Sequence, residues 1–276
     1  MTIDVQGAPA DRHLRAVHAT AGQASTRRLR VPLLAAAWWW LLSVSVAASA
    51  LYGDEVRVAA AANFSAAARE IGELFAAATG HEALLSFGSS GQLYAQITQG
   101  APFDVFLAAD RGYPRRAVQD GHAVAGSVFT YATGRLVLFS ADAGRVAGRA
   151  SLAEGQFTRL AIANPELAPY GTAAVEVLEA LGLTDRLQPT LVRGNNVAQT
   201  YQFVVTGNAE LGFVALAQVI GHEHGSRWIV PQELHSPIAQ DAVLLALASG
   251  SAAPEAFLVF LRGPEAAAVL ARYGYE

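Results

Sequence analysis

The chain has 276 residues, 53% of them hydrophobic and 15% charged, enough for two modest globular units with cores of their own. It contains no cysteine and no lysine, which excludes disulfides, thiolate metal sites, Schiff-base chemistry and the P-loop lysine. The formal net charge is −4 and no basic stripe stands out, which argues against a nucleic-acid partner.

The first fifty residues differ from the rest. STRRLR (Ser25 to Arg30) precedes an uncharged run from Val31 to Ala50, and Ala48-Ser49-Ala50 supplies a small-x-small cleavage site. Basic flank, apolar stretch and cleavage site together read as a secretory signal behind a long leader, residues 1–50. Thr26-Arg27-Arg28-Leu29 has the outline of a twin-arginine signal. An uncleaved anchor is the alternative, since about 20 apolar residues span a bilayer. The Ala-x-Ala site and the lack of a second apolar span favour cleavage. Without a cysteine after that site, lipid anchoring by the lipoprotein route is excluded. Residues 51–276 carry 14 arginines against 21 acids, a net of −7. The expected product is acidic, soluble and exported to the periplasm or another extracytoplasmic space.

From Glu55 the periodicity alternates between strand and helix. VRVAAA reads as a strand, SAAAREIGELFAAATG as a helix stopped by Gly80, ALLSF as a strand and GQLYAQITQG as a helix. FDVFLAA is, from Val105 onward, a continuous apolar run, as in a strand buried on both faces of a parallel sheet. RAVQDGHAV reads as a short helix capped by Gly121, and YATGRLVLFSA as one strand, longer than the others. RLAIAN, TAAVEVLEALGL, TLVRG and VAQTYQFVVTG repeat the alternation, and AELGFVALAQVI opens as another buried strand. QDAVLLALAS reads as a strand, followed by two helices, PEAFLVFLRG and PEAAAVLARYGY, the second with Pro264 in its first turn. Such alternation gives an α/β fold with mainly parallel sheets, and its two runs give two lobes.

Four strand-to-helix corners are alike: AANFS around Asn63, FGSSGQ around Ser89 and Ser90, NPELAPYGT around Tyr170, and RGNNVAQ around Asn195 to Val197. At each helix start the first N–H groups lack intrahelical partners, and the summed peptide dipoles add roughly half a positive charge. A helix N-terminus can therefore hold an anion without a basic side chain. In a parallel sheet these corners lie at the carboxyl ends of the strands, the usual ligand crevice. Taken singly, Asn, Ser and Gly there are ordinary caps and turn residues. As a set, four neutral corners, two per lobe, could surround a small anion. Only Arg193 sits near one of them.

VAAAANFSAAAREIGELFAAATGHEALLSFGSSGQLYAQITQGAPFDVFLAAD resembles the amino-terminal lobe of the periplasmic molybdate-binding proteins of ABC importers. SSG, QGAPFDVFLAAD, LGFVALAQ and the closing LRGPEAAAVLARYGY fit the same family in order, from about Glu55 to Tyr275. The resemblance implies a two-lobed periplasmic binding-protein fold (type II), each lobe a mainly parallel sheet flanked by helices. It implies lobe 1 at residues 51–131 plus 239–276 and lobe 2 at 132–238, with crossovers near Tyr131 to Arg135 and Ile238 to Asp241. It also implies a non-enzymatic monomer without cofactor that captures molybdate or tungstate for a membrane permease with its cytoplasmic ATPase. Carried over position by position, Asn63 matches a side-chain donor with Ala62 beside it, Ser90 a hydroxyl donor, and Val197 a backbone N–H donor. Metal is met through the oxyanion's oxygens only. Tyr170 fits a subset of the family whose loop supplies a phenol. Many relatives instead carry a tyrosine where Ala215 stands here.

Neutral donors suit the task. A dianion loses water on entry, and aligned N–H and O–H groups must replace it. Charge-assisted bonds contribute about 1.5–3 kcal/mol each, so half a dozen can offset that desolvation. A rigid ring of small donors also discriminates by size, because sulfate is smaller and leaves bonds stretched. Other readings are a binding protein of this fold for sulfate, phosphate or an organic acid, a serine hydrolase using Ser89 or Ser90, and a metal module on His222-Glu223-His224. Organic acids often recruit an arginine clamp. GSSG is one residue short of the G-x-S-x-G elbow. The histidine pair lies between Gly221 and Gly225, as in an exposed loop.

Overall fold

The computed structural model describes residues 54–154 and 156–276. The expected signal, residues 1–50, lies outside the described residues. Among the described residues no helix is long and apolar enough to cross a membrane.

Two five-stranded sheets organise the chain. The first contains β1 (Glu55–Ala61), β2 (Glu82–Gly88), β3 (Val105–Leu107), β4 (Phe129–Gly134) and, from late in the sequence, β10 (Ile238–Leu244), in the order β2-β1-β3-β10-β4. The second contains β5 (Leu136–Ser140), β6 (Leu160–Ala163), β7 (Leu191–Gly194), β8 (Leu211–Ala215) and β9 (Ser226–Ile229), in the order β7-β6-β8-β5-β9. Each sheet is mixed in the same way. Three strands pair in parallel, and the strand that enters from the other sheet, β10 or β5, runs against both of its neighbours.

The helices that matter for the site are α1 (Ser65–Thr79), α2 (Ser90–Thr98), α3 (Gly112–Gln119), α4 (Pro169–Ala180) and α5 (Val197–Val205). Two more, α6 (Ala252–Leu261) and α7 (Pro264–Arg272), close the chain. Along β1, Val56, Val58 and Ala60 point into a core shared with α1, α6 and α7, while Ala59 joins a second core with α2. Both faces are covered from Val58 onward, which is why β3 and the second half of β1 read as unbroken apolar runs. The second sheet has one large core, and Ala61 and Ala109 from the first sheet's corners pack into it. The alanine run at the end of β1 thus lets the two halves approach closely.

Two elements differ from the sequence reading. YATGRLVLFSA is two strands: β4 ends at Gly134, β5 begins at Leu136, and Arg135 carries the chain between the sheets. Strand-forming residues on both sides of Gly134-Arg135 hide this break, because the extended chain continues and only its pairing partners change. The short strand β9 was not expected, since Ser226, Arg227, Trp228 and Ile229 alternate half-buried with exposed at a sheet edge. At the second crossing, β10 begins at Ile238, opposite Gly134, with Ala239 opposite Thr133. The two crossing segments therefore form one antiparallel ribbon. Glu276 extends it by exchanging backbone hydrogen bonds with Thr133, at 2.6 and 3.0 Å.

Candidate functional site

Each corner is built by local sequence. At the start of α2, Ser89 and Gln92 form a reciprocal capping box, with the Ser89 hydroxyl accepting from Gln92 N at 3.4 Å and Gln92 Oε1 from Ser89 N at 3.3 Å. Ser89 is thereby spent on structure. Ser90, the first helical residue, is fully buried, and its Oγ accepts from Ala109 N at 2.9 Å. The Ala109 bond occupies an oxygen lone pair, so the Ser90 O–H keeps its one proton to donate, to the neighbouring Asp110 carboxylate or, in exchange, to an anion. At α5 the cap is Asn196, whose side chain accepts from Gln199 N at 3.0 Å. Val197 follows as the first helical residue, its N–H without an acceptor inside the helix.

Tyr170 sits in the first turn of α4, after Pro169 at the helix start. The helix rests directly on the end of β6: a Cβ on Gly171 would lie 2.2 Å from the Ala163 carbonyl oxygen. That seat carries the Tyr170 ring toward the first half of the molecule, where its hydroxyl is buried with no hydrogen-bond partner. Burial raises the Tyr170 phenol above the ordinary tyrosine range, with the neighbouring Gln240 and Asn63 amides opposing the shift. It stays protonated and able to donate.

The remaining corner is a single 3-10 turn, Ala62–Phe64, entered from β1 without a side-chain cap. Asn63 is buried there, and its Nδ2 donates to Gln240 Oε1 at 2.9 Å and to the Tyr275 hydroxyl at 3.2 Å. Tyr275 in turn donates to the Asn63 carbonyl at 2.9 Å. Ala62, Asn63, Ser90, Tyr170 and Val197 all line one small cavity, together with Ser89, Asn196 and corner alanines. Neither an arginine, a histidine nor a carboxylate lines it. Arg193 is exposed on β7, and Ala215 ends β8 outside the cavity lining. Beside the cavity, Gly91 N donates to Leu167 O at 2.9 Å and ties the two halves together.

A larger and more open groove adjoins the cavity at Ala109, Ala168 and Pro169 and is lined by Asp110, Glu166 and Glu176 with one arginine, Arg111. Three acids against one base disfavour an anion there. Asp110 is held above the usual carboxylate range, chiefly by burial, with the Asp241 charge adding and the Tyr113 and Gly112 N–H groups and the Ser90 hydroxyl opposing.

The hydrolase reading finds no base, since none of the described histidines lines the cavity. His222 packs edge-on to Phe139 and meets the Tyr201 hydroxyl at 2.8 Å. Among the described residues no group of three or more His, Asp or Glu side chains could hold a metal ion. Sequence reasoning did not find Gln240, Tyr131 or Tyr275, which stand behind Asn63. The one local signal for Gln240 is the polar pair Gln240-Asp241 inside an otherwise apolar strand.

A family model described as bacterial extracellular solute-binding protein matches residues 56–276. A molybdate-binding protein of Rhodobacter capsulatus is 53% identical over 221 residues, covering 80% of this chain and 88% of that protein. One of Azotobacter vinelandii is 49% identical over 238 residues, 85% of this chain and 94% of that protein. The solved structure of the periplasmic molybdate-binding protein of Azotobacter vinelandii superposes with a TM-score of 0.78 at 41% identity, covering 80% of this chain and 98% of that one.

Proposed function

Because the chain belongs to the family of bacterial extracellular solute-binding proteins, we propose that it captures molybdate, or tungstate, between its two lobes and delivers it to an ABC importer. The protein is a solute carrier and not an enzyme, and molybdate is its cargo rather than a cofactor. The observation that carries this reading is the convergence of four neutral corners on one small cavity lined by neither arginine nor carboxylate.

In this reading the anion meets the Ser90 and Tyr170 hydroxyls, the Val197 and Ala62 backbone N–H groups, and the Asn63 amide. Asn63 frees one amide hydrogen by giving up its longer contact, 3.2 Å to Tyr275, which keeps its own bond to the Asn63 carbonyl. Two lobes joined near residues 131–135 and 238–241 close on the anion, helped by the Gly91–Leu167 bond. The partner is the importer's membrane permease with its cytoplasmic ATPase, met by a monomer exported through its N-terminal signal.

Isothermal titration of the exported protein with molybdate, tungstate, sulfate and phosphate tests the assignment. Tight binding of the first two and much weaker binding of the others is expected. Equal affinity for all four, or none for molybdate, overturns it.

A further inference from the structure

Gln240 is fully buried on β10, and the pairing of β10 with β4 shifts register between Gln240 and Asp241. The pairs Gln240–Ala132 and Asp241–Thr130 leave Tyr131 as the extra residue of a bulge on β4, which re-aims the Tyr131 side chain beside Gln240. Its Oε1 accepts from Asn63 Nδ2 at 2.9 Å and from the Tyr131 hydroxyl at 3.0 Å, which fills both lone pairs. That orientation turns Nε2 the other way, where it is buried without a partner. The Tyr170 hydroxyl is the other buried group here without a partner, and the two crowd one spot: a Cβ on Gly134 would lie 2.1 Å from the Tyr170 oxygen and 2.6 Å from Gln240 Nε2. Gly134 has no side chain, and the Tyr170 ring uses that space.

We infer that Gln240 is a positioning residue that sets the direction of two anion donors at once, one from each half of the molecule. Its Oε1 holds one hydrogen of the Asn63 amide and leaves the other for the anion. Its Nε2 donates to the oxygen of Tyr170 as that ring seats over Gly134, so the phenol's single proton has no direction left but the cavity. Tyr131 fixes which end of the amide faces which neighbour. The inference rests on the proposed oxyanion site and adds a residue that never touches the ligand.

The test is titration of molybdate into the wild-type protein and into Gln240→Met, Gln240→Glu and Tyr131→Phe, with the melting point of each anion-free protein as a folding control. Gln240→Met is expected to weaken binding by about tenfold or more, because both donors lose their direction. In a Tyr170→Phe background the same change is expected to cost clearly less, since part of its target is already gone. Gln240→Glu replaces the Nε2 donor by an acceptor that takes the phenol proton for itself, so its affinity falls as the acid ionises. Its loss is therefore larger at pH 8.5 than at pH 6, while wild type changes little between them. Tyr131→Phe keeps the ring and packing, and is expected to weaken binding several-fold even if the Gln240 variants fold poorly. Wild-type affinity in the folded variants, or full additivity with Tyr170→Phe, overturns the inference and leaves the oxyanion site standing. A wild-type protein that binds neither molybdate nor tungstate removes the site itself.

Discussion

Ser90 and Ser89 are neighbours of the same type with different tasks. Ser89 caps α2 and Ser90 faces the cavity, so single substitutions separate the two. Ser90→Ala is expected to weaken molybdate binding by at least about 1 kcal/mol and, because the buried Ala109 N–H loses its acceptor, to lower the anion-free melting point without unfolding the protein; Asn63→Ala, which removes the bonds to Gln240 and Tyr275, behaves likewise, both read by calorimetry. Asp110 offers a test by pH. Its folded pKa lies above its unfolded one, so its contribution to stability is fully present below the unfolded pKa and is lost as pH rises through the folded value. Asp110→Asn should keep the acceptor for Tyr113 N and remove the buried charge. We expect it to raise the melting point at pH 8 more than at pH 4. The corner residues were legible because a helix start announces itself locally, through Asn, Ser and Gly after an apolar run. Gln240 was not, because its partners Asn63 and Tyr131 lie 177 and 109 residues away, and the polar pair it forms with Asp241 in an apolar strand does not say which groups it will meet.

At the level of elements, the close seating of α4 on β6 and the cap on α2 decide where the donors point. Ser89→Ala removes the side chain that satisfies the Gln92 N–H, and should cost about 0.5–2 kcal/mol in denaturant unfolding. Gly171→Ala sets a methyl 2.2 Å from a carbonyl oxygen, so α4 must lift from the sheet. A loss of about 1–3 kcal/mol is expected, with weakened anion binding because Tyr170 moves with the helix. Most helices and buried strands were readable from periodicity, since α1, α4 and α5 have clear apolar faces. The split between β4 and β5 was not legible, because strand-forming residues flank Gly134-Arg135 on both sides and only the pairing partners change there. β9 was missed because an edge strand with two apolar residues looks like loop.

For the molecule as a whole, charge and site pull in different directions. Residues 51–276 are acidic, with a net of −7, whereas the cavity lining holds no acid. A dianion approaches against a repulsive field that salt screens, and then binds through short-range bonds that salt hardly touches. Stopped-flow measurements should show the association rate rising modestly with ionic strength and the dissociation rate nearly constant. Two-lobed architecture was legible from the double run of strand-helix units, while the bond that ties the halves, Gly91 N to Leu167 O, is a backbone contact no sequence pattern encodes.

The crossing segments are bonded to each other rather than independent, with Gly134 facing Ile238 and Thr133 facing Ala239. The ladder bonds resist sliding of one crossing segment past the other while the strip can bend across its face, so the pair acts like a door leaf on a single axis. Opening and closing should then follow one coordinate, and a pair of fluorophores placed on opposite sides of the mouth should report a single relaxation process rather than several.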